Sequence, residues 1–291
     1  MQQARKDRAM VTEKDIIDAF KQLGIRLEDV LLIHSSMKSF GHVEGGPEAV
    51  ISALKEVVKD GTLVFPTLRS RQFYNAYRDW DIQNTPSDVG LLSETFRKSP
   101  GVLRSDQETH SVAAYGRQAR YITEGHRTGR PRVGIFGDLA FGYNSPWQRM
   151  YEQNAVVVMI GVSMVYNTFK HFVEYCMVDD ILSALSGEER MQAQGELSKF
   201  NPNPPNPNAK PNPNAKPAGV WFWHDGQKAQ DILASQGKVI FGKCGDATLT
   251  CFRVQNFFAF MYHQLRYHPR LWLEEPYYKW IEKYDREGQS I

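Results

Sequence analysis

The chain has 291 residues, of which 42% are hydrophobic and 23% charged, and its formal net charge is +2. That length allows a sizeable core. So small a net charge excludes the broad basic field that nucleic acid or an anionic membrane would call for.

The opening stretch, MQQARKDRAMVTEKDIIDAF, is charged and lacks the apolar run of a signal peptide. No segment approaches the ~18 apolar residues that span a bilayer. Cys176, Cys244 and Cys251 follow no metal-ligand spacing. A sparse, odd set of cysteines points to reduced core thiols and a cytoplasmic protein with no metal.

In chain order, Thr12 caps an expected helix to about Gly24, with Ile16, Ile17, Phe20 and Leu23 on one face. DVLLIHS reads as a buried strand, and a helix follows Pro47, a residue suited to the first helical turn. GTLVFPT is a second buried strand. An aromatic, charged loop spans about 68–87, and Ser87 is expected to cap the helix DVGLLSETFRKS. GVLRSDQETHSVAAYG reads as strand, polar break and strand. SPWQRMYEQ starts a helix, AVVVMIGV is a core strand, and Thr168 caps the helix FKHFVEYCMV.

The segment 201–219 carries a short repeat of Pro-Asn-Pro-Asn-Ala-Lys, too proline-dense for sheet or helix interior, and is expected as an exposed excursion. VWFWHD and KVIFGKCGDATLTCF read as strands of a meander. The chain closes with two aromatic-rich helices, expected to pack a core or form a subunit contact. Apolar runs without alternation indicate a sheet covered on both faces. The expected fold is therefore a single-domain, three-layer α/β/α sandwich around a largely buried mixed sheet, with a C-terminal helical segment.

Three stretches carry chemistry. HSSMKSFGHVEGG links a strand to a helix. Its glycines expose backbone N–H groups, the helix adds its positive end, and Ser35, Ser36 and Ser39 add hydroxyls, a combination suited to phosphate. It is neither a Walker A loop nor a dinucleotide fingerprint, and an ordinary tight turn is an equal alternative. His110, in THS, is a candidate general base at a strand edge. On the helix from Thr168, His171 and Glu174 are three residues apart and share a face. No serine occupies a Gly-x-Ser-x-Gly elbow.

In this order, HSSMKSFGHVEGG, GTLVFPT, TPSDVGLLSETFRKSPGVLRS, THSVAAYG, FGYNSPWQRMYE, VVVMIGV and NTFKHFVEY resemble the blocks of the aminoglycoside N3-acetyltransferase family, over roughly residues 12–178. The resemblance implies acetyl transfer from acetyl-CoA to a primary amine. It assigns the coenzyme to Ser35, Ser36, Ser39, Phe40 and Val43, with Arg104 and Ser105 also in reach. It implies that His110 takes the proton of the amine and that Glu174 fixes the tautomer of His110. The amine then attacks the thioester directly, with Asn167 and Thr168 positioning the acetyl carbonyl or the amine.

The acceptor side is expected to hold His171 and carboxylates such as Asp79, Asp81, Glu108, Asp179 and Asp180, which would suit a polycation. The chain departs from the family pattern at Gln107-Glu108, at SMVY (163–166) and in the Pro/Asn segment. Another amino sugar or small amine is therefore the alternative acceptor. A coenzyme A-binding protein without activity is the alternative of a different class. A homodimer is compatible with the aromatic C-terminal helices.

Overall fold

A computed structural model describes residues 10–68, 80–200 and 221–288. The loop residue Asp79 and the Pro/Asn segment lie outside these ranges.

Seven strands form one sheet: β1 (Val30–Ser35), β2 (Thr62–Pro66), β3 (Leu103–Arg104), β4 (Val112–Gly116), β5 (Val156–Ile160), β6 (Ile240–Cys244) and β7 (Ala247–Arg253). Their spatial order is β3-β4-β2-β1-β5-β7-β6. β1 pairs in parallel with β2 and β5, and the outer pairings are antiparallel, so the sheet is mixed.

Side-chain alternation along the central strands builds two cores. Leu31 and Ile33 of β1, Leu63 and Phe65 of β2, and Val156, Val158 and Ile160 of β5 point to one face. There they meet α1 (Glu13–Gln22), α2 (Gly46–Val57) and α3 (Leu91–Arg97). Val30, Leu32, Val64, Val157 and Met159 point to the other face. That layer is thicker, with α4 (Ala119–Thr123), α5 (Pro146–Glu152), α6 (Phe169–Ala184), α7 (Gly187–Lys199), α8 (Gly226–Ser235), α9 (Val254–Tyr267) and α10 (Glu275–Tyr284). This is the expected three-layer sandwich, and the aromatics Phe257, Tyr277, Trp280 and Tyr284 of the last helices pack its core. No described helix is long and apolar enough to cross a membrane.

Local chemistry explains the element ends. Thr12 and Asp15 form a reciprocal capping box that starts α1. Ser87 does not cap α3. Gly90, at φ +134°, breaks the chain first and the helix begins at Leu91, while Glu94 accepts from Ser87 N at 2.8 Å. Residues 221–225, the described part of VWFWHD, form no strand. Trp221 has φ +83°, outside strand geometry, and Asp225 caps α8 by accepting from Gln227 N and Lys228 N.

All three cysteines are buried and unpaired. Burial pushes their thiols up, to about 12 for Cys176 and Cys251 and about 11 for Cys244.

α6 positions the site. It is buried on every side from Phe169 to Asp179. A helix inside a core has no solvent face for polar residues, so Lys170, His171, Glu174 and Asp179 must find partners there.

Candidate active site

The serine-glycine loop leaves β1 through Ser36, whose N–H donates to Ile160 O at 2.9 Å. A single 3-10 turn, Met37–Phe40, follows. Ser39 Oγ donates back to Ser36 O at 2.6 Å and lines a cavity of about 460 Å³ with Gly161, Ser163, Gln230, Asp246, Thr248 and Thr250. Ser35, Ser36 and Ser39 are half-buried at the loop surface. Phe40 and Val43 instead point into the core, so only their backbones face this side.

Gly161 sets how closely the loop approaches β5. Its φ is +62°, and an added Cβ would stand 1.9 Å from Ser39 Oγ.

Arg104 and Ser105 lie at the far side of the sheet, three strands or about 14 Å from β1. Arg104 donates to Thr67 O and Oγ1 and to Ile82 O, and stacks on Trp80. The Ser105 hydroxyl is fully buried between Val112 N and His126 Nδ1, each at 2.9 Å. Ser105 is closed off from any coenzyme surface by burial, whereas Arg104 is half-buried and lines a cavity of about 610 Å³ with Ile82, Arg97 and Asp106.

His110 is presented by the polar break before β4. Gln107 Oε1 gathers Thr109 N, Thr109 Oγ1 and His110 N into one turn. The His110 ring is 1% exposed, packs on Phe136 and Phe141, and has Nδ1 3.0 Å from Thr109 Oγ1. Burial lowers it to about 3, so it is neutral at pH 7.

Glu174 was expected to orient His110, and on α6 it meets His171. One helical turn separates His171 from Glu174, and His171 Nδ1 lies 2.9 Å from Glu174 Oε2. The His171 ring stands edge-on to His110, with centroids 5.9 Å apart, and stacks on the half-exposed Trp223. Burial pulls His171 below the usual imidazole range and pushes Glu174 above the usual carboxylate range, while the Lys170 ammonium draws Glu174 down. Lys170 donates to Val165 O at 2.9 Å and sits 4.6 Å from the Trp223 ring centroid.

At the helix entry Asn167 does what Thr168 was expected to do. Its Oδ1 accepts from Phe169 N at 3.1 Å, whereas the Thr168 side chain makes no cap bond. Asn167 Nδ2 is buried and donates to no described acceptor.

The expected acceptor carboxylates have partners elsewhere. Asp179 accepts from Tyr143 OH at 2.6 Å and pairs with Arg130 at 3.3 Å and Arg132 at 3.8 Å. Asp180 accepts from Tyr262 OH, Asp81 holds the turn at Gln83 and Asn84, and Glu108 lies 4.0 Å from Arg127.

Lys170, Trp223 and His224 were not anticipated. Trp223 and His224 sit in the misread VWFWHD, where a histidine beside a helix-capping Asp was the available signal.

The family profile described as aminoglycoside 3-N-acetyltransferase matches residues 32–266. The chain belongs to that family. One relative, aminoglycoside N(3)-acetyltransferase III of Salmonella sp., is 31% identical over 182 residues, covering 57% of this chain and 60% of the relative. The sequence match thus spans three fifths of that relative's length.

Among solved structures, AAC-IIIb in binary complex with CoASH has a TM-score of 0.65 at 18% identity, covering 92% of this chain and 99% of that one. A mutant of aminoglycoside acetyltransferase AAC(3)-IVa in complex with apramycin has a TM-score of 0.60 at 22% identity, covering 89% of this chain and 93% of that one. At these identities the likeness establishes a shared fold for this family member.

Proposed function

We propose that the protein is an N-acetyltransferase that moves an acetyl group from acetyl-CoA to a primary amine, with the 3-amino group of an aminoglycoside as the leading acceptor. The observation that carries the reading is the buried His171–Glu174 pair at the start of α6, with Nδ1 and Oε2 2.9 Å apart. Family membership and the cavity beside Ser39 support acetyl-CoA as co-substrate, with Ser35, Ser36 and Ser39 supplying hydroxyls and the Phe40 and Val43 segment supplying backbone.

His171, rather than His110, is the proton acceptor in this mechanism. Glu174 fixes Nδ1 as the protonated nitrogen and leaves Nε2 to take a proton. Burial keeps the imidazole neutral and ready. The amine nitrogen attacks the thioester carbonyl, a C–N bond forms, and the amine's proton passes to Nε2. The C–S bond then breaks, and the thiolate leaves and is protonated from His171. Asn167 Nδ2, a buried donor without a described acceptor, suits the carbonyl oxygen as negative charge grows on it. His110 is a neutral wall against which His171 packs.

A second reading, a less cationic amino sugar or small amine as acceptor, is favoured by one observation. The described carboxylates expected to face a polycation are already engaged with Arg130, Arg127, Tyr262 and backbone amides.

The test is free-thiol release from acetyl-CoA with 3-amino aminoglycosides, an aminoglycoside lacking the 3-amino group, and simple amino sugars. Release with the first set alone supports the leading reading. Release with amino sugars alone supports the second. No release with any amine, despite coenzyme A binding, overturns acetyl transfer to both classes.

A further inference from the structure

Glu174 is fully buried, yet only one of its oxygens has a donor. Oε2 meets His171, and Oε1 has no hydrogen-bond partner. Across from Oε1, 3.6 Å away, lies Nδ1 of His224, whose side chain is also fully buried. Neither ring nitrogen of His224 meets full hydrogen-bond geometry with a described residue, and the one backbone group acting on the ring is that of Phe222. A carboxylate oxygen lacking a donor therefore faces a ring nitrogen of a buried imidazole. The gap is slightly longer than a hydrogen bond, as active-site bonds commonly are before substrate binds.

His224 is held in place from several sides. The Asp225 carboxylate caps α8 immediately after it. Phe257 of α9 and Trp272 flank the ring, with centroids at 6.5 Å and 6.4 Å. The titratable and charged groups acting on it are Glu174, Lys170 and His171 from α6, and Asp225 beside it. α9 and the turn at Trp272 present aromatic rings.

We propose that His224 is a positioning residue for acetyl transfer. Its Nδ1–H donates to Glu174 Oε1, so that one carboxylate is held by two imidazoles and stays ionised when His171 takes the proton of the amine. The proposal rests on the acetyl-transfer reading with His171 as proton acceptor. A carboxylate with one donor in a dry core tends to protonate and then cannot offset an imidazolium. With a second donor it remains a counter-charge. His224 touches neither reactant and acts through Glu174.

Two measurements test it. The first compares His224→Phe with His224→Asn, whose amide places an N–H near the Nδ1 position. In His224→Phe the plateau of kcat/KM should fall tenfold or more. Its acid limb should move to lower pH, because the His171 imidazolium loses its counter-charge. In His224→Asn both should return to within about threefold of the wild type, with coenzyme A affinity unchanged in both variants. A His224→Phe profile that superimposes on the wild type, or an Asn variant no better than Phe, overturns the proposal.

The second is imidazole 15N NMR of the wild-type protein against Glu174→Gln, which needs neither turnover nor a folded Phe variant. The ring nitrogens of both His171 and His224 should shift. A response confined to His171 overturns the proposal. Absent thiol release in the wild type would count against the acetyl-transfer reading alone, because the NMR comparison still decides the His224–Glu174 contact.

Discussion

Glu174 and His171 form a buried pair with Oε2 and Nδ1 2.9 Å apart, while the neighbouring His110 has its Nδ1 3.0 Å from Thr109 Oγ1. Two histidines of one site thus have different partners. One is oriented by an acid and the other by a hydroxyl.

The division gives a kinetic expectation. His171→Ala should lower kcat by about 10²–10⁴-fold, the usual range for removing a general base, with coenzyme A affinity little changed. His110→Gln should cost less than His171→Ala in kcat and more in thermal stability, because His110 fills a pocket between Phe136 and Phe141. Steady-state thiol release and unfolding curves for the two variants check this. An equal or larger kcat loss in His110→Gln would restore His110 as the base.

Acid should destabilise the protein through its buried histidines. Burial lowers His34, His110 and His224 to about 3 and His126 to about 4, from 6.5. A depressed folded value means that the unfolded chain binds the proton first. Stability is therefore fully present above pH 6.5 and declines as pH falls from 6.5 towards 4. Each group contributes up to ~1.4 kcal/mol per pH unit in that window. Denaturant unfolding at a series of pH values should show the loss, and His126→Gln should make the slope shallower. A stability that is flat from pH 7 to pH 5 would contradict it.

Gly161 and Ser39 should be coupled. Alanine at 161 places Cβ 1.9 Å from Ser39 Oγ and 2.1 Å from Ser39 Cβ, at a backbone φ of +62°. The left-handed backbone alone costs about 1–2 kcal/mol, and the contact must displace the serine loop. Gly161→Ala is expected to lower Tm and raise KM for acetyl-CoA. Adding Ser39→Gly should relieve part of the Tm loss, because both clashing atoms are gone. A double mutant no more stable than Gly161→Ala would show that the strain lies elsewhere.

Asp179 should behave as a structural residue. It is 6% exposed and joins Tyr143, Arg130 and Arg132. Arg130 is exposed, so the buried pair is with Arg132, and removing Asp179 leaves that one cation unpaired at a cost of up to about 3–5 kcal/mol. Asp179→Ala is expected to lower stability by that order and to leave KM for the amine near the wild-type value in the protein that stays folded. A raised amine KM with unchanged Tm would return Asp179 to the acceptor wall.

Much of the architecture was legible in the residues alone. Unbroken apolar runs such as DVLLI and AVVVMI require a sheet covered on both faces, and the alternation of Leu31 and Leu32 into opposite cores is that requirement met. The Thr12 cap and the three-residue spacing of His171 and Glu174 are local facts that helical geometry translates directly into contacts.

Partnership across the chain was decided by the tertiary structure. The three-residue spacing lets Glu174 reach His171, whereas its relation to His110 depends on where β4 meets α6, which no spacing encodes. His224 reaches Glu174 from 50 residues away because Trp221 turns left-handed and Asp225 starts a helix where the composition suggested a strand. Arg104 and Asp179 looked like ligand-binding charges. Packing gave each protein partners: half-buried Arg104 donates to the Thr67 carbonyl, and buried Asp179 meets Arg130 and Arg132, because a charge removed from water must be paired wherever the packing places it.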